Sequence, residues 1–349
     1  MVSQLLPVPV KRLLLIGDTS LPEALGSKLI RGARRLELAK KWKISVSYHS
    51  PATNYSPSMK RKRGKAFYRL AGKRSWEWWR YQQLLLRQVE IIEPDLVLVT
   101  GILPLDTKIF RTIKRQGGYV VNYLTDDPWN PIHRRRSYIA NLPAYDHIFS
   151  TKPSLEDRLK KEGTSSTSWL PFAYDPELHY PVQSESMVDV VFIGTGAQER
   201  LPWLKAITEI PGVGRRIHGN NWQGISTPGW EQLPAVTGEN YCQAIYGAKV
   251  VLGLLRAANG DESTDRSYEI GAIGGCGLYQ DTKEHRQLLA EYPEQGFFKE
   301  PNMLAQRVKE LLNDPALQQR LRSIGAKAIR RPENTYGARL ESILRWAEQ

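Results

Sequence analysis

Residues 260–278, GDESTDRSYEIGAIGGCGL, decide how the chain is read. They follow Val250-Val251-Leu252-Gly253-Leu254-Leu255, an apolar run that predicts a buried strand. An acid, a cation and a second acid come next: Asp261, Arg266 and Glu269. A helix then begins whose small residues let another backbone approach closely. Seven residues separate Asp261 from Glu269, which puts the first on the loop and the second one turn into the helix. A strand end, a polar loop and a helix N-terminus are where α/β proteins usually hold an anionic ligand.

Working outward, strands and helices alternate along the whole chain. The first half predicts strands at 12–16, 44–48, 95–100, 119–124 and 147–150, with helices at 22–41 and 76–92 among those between them. The pattern restarts at Asp189-Val190-Val191-Phe192-Ile193-Gly194, with further strands at 216–218, 250–255 and 277–280. Short apolar runs separated by helices point to buried parallel strands. Pro176, Pro181, Gln183, Ser184 and Ser186 weaken regular structure, so the join is expected within 173–187. The expected division is a basic domain over 1–178, a second domain over 179–334 and a last helix over 335–349 that packs back on the first domain. Two alternating units imply a ligand cleft between domains.

At 349 residues the chain is long enough for two cores, and 41% hydrophobic with 24% charged residues is a globular composition. No run approaches the roughly 20 apolar residues of a membrane span. Near the start, Lys11 and Arg12 sit inside the apolar stretch instead of ahead of it, unlike a secretory signal. Cys242 and Cys276 are too few for a disulfide framework or a structural zinc site. These features place the protein in the cytoplasm, with its basic half able to reach the inner membrane surface. The net charge of +13 is uneven: residues 1–180 carry 30 Lys and Arg against 16 Asp and Glu, the remainder 19 against 20. The first half is therefore expected to meet something anionic.

Each motif has a plain alternative. Gly194, Thr195 and Gly196 with Arg200 can cradle a phosphate, although Glu199 replaces the third glycine of a dinucleotide fingerprint; a tight strand-to-helix turn explains them equally well. Arg266 can grip a diphosphate, Ser267 can donate to it and Glu269 can accept ribose hydroxyls. The alternative is an amphipathic helix with a capping acid. His218, Gly219, Asn220 and Trp222 end another strand and can line the same cleft against a base. Asp126 and Asp127 follow a strand of the first half; no cluster beside them supports a metal, and a capping acid before Pro128 explains one of the two. His133 lies just beyond. Residues 59–80 hold nine cations and one acid, interleaved with aromatics. Lys60, Arg61, Lys62, Arg63 and Lys65 with Trp78 and Trp79 suit an anionic acceptor or lipid headgroups; single-stranded nucleic acid and a plain solvated loop are the other readings.

These residues resemble the spore-maturation CgeB-like glycosyltransferases of the GT-B class, from about Val120 to the C-terminus. The resemblance is carried by YDHIFST at 145–151, WLPFAYDP at 169–176, FIGT with Arg200, DRSYE at 265–269 followed by Gly274 and Gly275, and NTYGARL at 334–340. It implies two facing Rossmann-like domains, the second binding a nucleotide-diphosphate sugar and the first an acceptor it leaves unidentified. It further implies metal-independent catalysis with no cofactor beyond the donor itself. Asp261 and Glu269 match the spacing of the paired acids of retaining GT-B enzymes, with Asp in place of the first Glu. In that scheme Arg266 and Arg200 stabilise the leaving diphosphate, Asp261 holds the donor sugar, and Gly17 and Asp18 face the donor. If the reaction inverts, Asp18, Asp127 or His133 is the base. The competing readings are a nucleic-acid or membrane-surface binding protein without catalysis, and a nucleotide-sugar epimerase. Sequence gives no oligomeric state.

Overall fold

The computed structural model describes residues 10–48, 61–71, 75–184 and 187–349. The chain divides into two compact units: Met1–Pro171 together with Arg339–Gln349, and Phe172–Ala338. Each has its own sheet and its own hydrophobic core.

In the first unit, strands β1 (Lys11–Gly17), β2 (Trp42–Tyr48), β3 (Leu96–Thr100), β4 (Tyr119–Leu124), β5 (His147–Ser150) and β6 (Thr167–Trp169) form a parallel sheet in the order β2-β1-β3-β4-β5-β6. Helices packed on both faces demand continuous apolar strands, and β3 is buried at every position. The helices are α1 (Leu25–Arg35), α2 (Lys62–Leu70), α3 (Trp76–Ile92), α4 (Thr107–Arg115), α5 (Arg136–Ala140) and α6 (Glu156–Lys161). The helix expected over 22–41 stops at Arg35, because Glu37 adopts a left-handed conformation (φ 52°) and starts a separate short turn. Helix α3 spans its predicted residues, capped by Ser75 Oγ accepting from Trp78 N–H at 3.0 Å. Asn122, buried in β4, donates to the carbonyls of Val99 and Gly101 and accepts from Tyr138 OH, which fixes the loop that leaves β3.

In the second unit, β7 (Val188–Ile193), β8 (Arg215–His218), β9 (Glu231–Leu233), β10 (Ala248–Gly253), β11 (Gly277–Gln280) and β12 (Phe297–Phe298) form a parallel sheet ordered β12-β11-β10-β7-β8-β9. Its helices are α7 (Leu201–Thr208), α8 (Gly238–Tyr246), α9 (Asp265–Ile273), α10 (Lys283–Leu288), α11 (Pro301–Asn313) and α12 (Pro315–Ile329). The close approach predicted for α9 is made to α12: a Cβ at Gly271 would stand 2.5 Å from Ile329 and 3.0 Å from the Gly325 carbonyl. Helix α13 (Tyr336–Trp346) belongs to the first unit from Arg339 onward. There Trp346 packs edge-on to Tyr119 and Phe149 and against His147.

The boundary falls earlier than the expected 178/179. Phe172, Ala173, Tyr174 and Asp175 are buried in the second unit instead of forming a linker, and Tyr174 pairs with Thr335 as an isolated β-bridge. Three strands escaped the sequence: β6, β9 and β12. All lie at sheet edges and have two or three residues, too few to show a period. Among the described residues no helix is long and apolar enough to cross a membrane.

Candidate functional site

Strands β7 and β10 lie side by side, yet the chain leaves β7 towards β8 and leaves β10 towards β11. Their C-terminal ends are the switch point of the sheet, where diverging loops open a crevice. Both loops singled out from sequence end there, one carrying Arg200 and the other Asp261 and Arg266.

Arg200 is only 6% exposed. Its guanidinium lies 4.9 Å from the Phe192 ring centroid and donates through Nη1 to the Thr195 carbonyl, whereas its buried Nε has no hydrogen-bond partner. Burial first, and next the charge of Arg256, push this guanidinium down to about 10; Arg266 acts in the same sense, Glu199 and Asp261 in the opposite one. Arg256 and Arg266 are thus each close enough for their charge to act on Arg200. Such a cluster is stabilised by an anion.

The glycines have another explanation than phosphate contact. A Cβ at Gly196 would lie 2.2 Å from the Asn221 carbonyl oxygen, and one at Gly219 would lie 2.0 Å from that of Gly194. The Gly194 N–H donates to the His218 carbonyl and the Gly196 N–H to that of Asn220. The expectation that these two amides face a diphosphate is therefore corrected: they zip the loops after β7 and β8 together. Trp222 is buried too, its Nε1 donating to the Gly194 carbonyl at 2.9 Å, so it braces the turn instead of facing a base. His218 is half-buried, its imidazole pushed down chiefly by burial; Nδ1 meets the Pro234 carbonyl at 3.3 Å. It lines a cavity of about 650 Å³ with Arg216, Glu231, Leu233, Val236 and Asn240. Arg200, Arg256 and Arg266 are not part of that lining.

On α9, Arg266 keeps 30% of its side chain exposed. Nη1 donates to Tyr241 OH and, at 2.7 Å, to Glu269 Oε2; the guanidinium stacks 4.7 Å from the Tyr241 ring centroid. Burial opposes its charge, but Tyr241 and Glu269 outweigh burial and raise its pKa. Glu269 is turned into the fold. Its Oε2 also accepts from Tyr241 OH at 2.6 Å, and its Oε1 lies 3.3 Å from His179 Nε2. His179 Nδ1 accepts the Asp175 N–H, so the ring is neutral and its proton points at the carboxylate. An acid buried this deeply needs such partners. The expected open carboxylate for ribose is thus replaced by an anchored one that orients Arg266. Ser267 is corrected likewise: its Oγ accepts the Thr264 N–H at 3.0 Å and pairs with His285 Nε2 at 2.7 Å, closing a capping box. Asp261 is held by Asn259 Nδ2 at 3.0 and 3.2 Å.

In the first unit, Gly17 and Asp18 end β1, where Asp18 Oδ1 accepts from the N–H and hydroxyl of Ser20. A Cβ at Gly17 would stand 2.6 Å from Thr100 Oγ1. Asp127 Oδ1 accepts the Trp129 N–H in the loop after β4, as a capping acid does, and His133 Nε2 lies 3.7 Å from Asp126 Oδ1. No group of acids, histidines and cysteines that could hold a metal occurs among the described residues. Trp78, expected as a contact residue, is fully buried and donates to the Pro104 carbonyl. Trp79, Arg61, Lys62, Arg63 and Lys65 are exposed, and Lys60 lies outside the described residues. Sequence reasoning missed Tyr241, His179, Asn259 and Arg256. The first two come from distant segments and carry no local signal, whereas Asn259 and Arg256 flank the quoted stretch and its strand.

Residues 200–345 match the family model described as glycosyl transferase-like. No curated protein matches the chain. Among solved structures, sucrose-phosphate synthase from Thermosynechococcus elongatus is similar at a TM-score of 0.66 and 13% identity, over 96% of this chain and 98% of that one. T4 phage BGT in complex with its UDP-glucose substrate is similar at 0.62 and 10%, over 97% and 100%. The UDP-GlcNAc 2-epimerase from Neisseria meningitidis, bound to UDP-GlcNAc, is similar at 0.54 and 14%, over 96% and 99%. The chain has the GT-B fold of two Rossmann-like sheets, and the glycosyl transferase-like match falls mostly within its second unit.

Proposed function

We propose that the protein moves a sugar from a nucleotide-diphosphate donor to an acceptor hydroxyl. The observation that carries this reading is the nearly buried Arg200, its Nε unpartnered, at the switch point beside the charges of Arg256 and Arg266. Breaking the bond between the anomeric carbon and the diphosphate oxygen leaves the electron pair, and a growing negative charge, on that oxygen. Fixed guanidinium groups in a site of restricted water access stabilise that charge, each well-placed donor by about 3 kcal/mol. They supply this positive charge without a metal. Asp261, steadied by Asn259, is proposed to accept hydroxyls of the donor sugar, and the base to lie along the β8 loop towards His218. Glu269 serves by holding Arg266.

We propose the retaining course, in which the acceptor oxygen bonds the anomeric carbon and its proton passes to the departing diphosphate. In the inverting course Asp18, Asp127 or His133 takes that proton instead. The structural neighbours named with UDP-glucose and UDP-GlcNAc make uridine donors the first to test, with a panel of hydroxyl acceptors. Thermal shift against UDP, GDP, ADP and dTDP should reveal stabilisation by one nucleotide, and mass spectrometry should show its sugar conjugate consumed with transfer of the sugar. Conversion of the sugar nucleotide to an isomer without acceptor would indicate an epimerase. Stabilisation only by polyanions would overturn the donor site altogether.

A further inference from the structure

The basic aromatic segment belongs to the first unit, whereas the proposed donor residues belong to the second, and the segment's geometry has its own logic. Helix α3 buries Trp78, Gln82, Leu85, Leu86 and Val89 on one side. Its opposite side exposes Trp76, Trp79, Arg80, Gln83, Leu84, Arg87, Glu90 and Ile91, a continuous stripe at helical spacing. Ile91 is 82% exposed and Leu70, at the end of α2, 89%. Helix α2 buries none of its residues and joins this stripe through Phe67, which packs edge-on to Trp76 at 5.7 Å; Trp76 stacks on Trp79 at 4.8 Å. Arg61, Lys62, Arg63, Lys65 and Arg69 of α2 and its cap add to Arg80 and Arg87, against Glu90 as the exposed acid of the two helices.

We propose that this face of α2 and α3 docks on an anionic membrane surface, the aromatic and aliphatic side chains entering the interface and the cations meeting lipid phosphates. Amphipathic helices of this composition lie in the plane of the headgroups. Tryptophan favours that depth, and each basic residue near the surface adds attraction that salt weakens. Two other occupants fit less well. A nucleic-acid strand needs open ring faces, but Trp76 and Trp79 cover one another with an interplanar angle of 24°, and Leu70, Leu84 and Ile91 offer nothing to bases. A second copy would bring the same cations against themselves, and like charges across an interface repel. The proposal stands independently of the donor site.

The test is co-sedimentation of the full chain with phosphatidylcholine vesicles, with or without phosphatidylglycerol, at low and high salt. The expected result is binding to the anionic vesicles alone, weakened by salt. Arg63→Glu with Arg69→Glu should reduce it by at least about tenfold. Trp76→Ser with Trp79→Ser should abolish it while thermal unfolding stays unchanged, and Leu84→Asp with Ile91→Asp gives the same readout if the tryptophan variant fails to fold. Equal binding to neutral vesicles, or none to either, overturns the proposal. So does an oligonucleotide that binds more tightly than the vesicles and displaces them, or a dimer in velocity sedimentation that Leu84→Asp with Ile91→Asp dissociates.

Discussion

Ser267 shows how far a single side chain can be read before its neighbours are known. Beside Arg266 it has the chemistry of a phosphate donor, yet its Oγ is engaged by the Thr264 N–H and by His285. Ser267→Ala is therefore expected to cost about 1–3 kcal/mol of stability, because it removes a cap and leaves a buried imidazole nitrogen unpaired. Nucleotide affinity should stay unchanged. Chemical unfolding and titration calorimetry read the two effects separately, and weaker affinity at undiminished stability would return Ser267 to the ligand. Arg200, Arg266 and Asp261 stand out in sequence because each follows a predicted strand; their role in binding a donor is the proposal made above. Sequence showed the acid at Glu269 but not that it is anchored. Its partners Tyr241 and His179 are brought to it by α8 and by the segment after Pro171, a tertiary event that no spacing in sequence announces. Trp78 and Trp79 are adjacent and chemically alike; only the phase of α3 sends the first inward and the second outward.

Elements were legible where burial is two-sided. Strands β4, β5 and β11 carry apolar runs long enough to show their bounds, whereas the short edge strands β6, β9 and β12 need less burial and so leave less pattern; the seven-residue edge strand β2 is long enough to be read. Helix α10 has a measurable consequence. His285 is fully buried, its Nδ1 donating to the Gln280 carbonyl, and burial pushes its imidazole down to about 4 from 6.5. The unfolded chain therefore binds a proton that the folded one refuses throughout that window. Stability contributed by the neutral ring is complete above pH about 6.5 and is lost as pH falls towards about 4, by up to roughly 3 kcal/mol. Thermal unfolding across this range should show the decline, and His285→Gln should lessen it, leaving the part owed to His147, whose imidazole burial also pushes down to about 4. An identical slope in the variant would mean that other groups drive the loss.

For the whole molecule, the chain ends where it began: Arg339–Gln349 belong to the unit that holds Met1–Pro171. Ile343 and Leu344 are buried there, and Glu348 accepts from Trp42 Nε1 at 3.2 Å. Removing the residues after Ala338 should destabilise the first unit, seen as faster proteolysis within β1–β6 than within the second unit; uniform resistance would contradict that dependence. The charge asymmetry visible in sequence has a structural counterpart, since the exposed cations of α2 and α3 lie in the first unit and most of the near-neutral half, up to Ala338, folds into the second. The proposed donor site rests on the arginines at the switch point of the second sheet. Its most direct measurement is calorimetric titration of the best-stabilising nucleoside diphosphate into the wild type and Arg200→Met, both checked for equal folding. Binding weakened at least roughly tenfold in the variant is expected from losing a charged donor; equal affinity in the two proteins would contradict an anion site there.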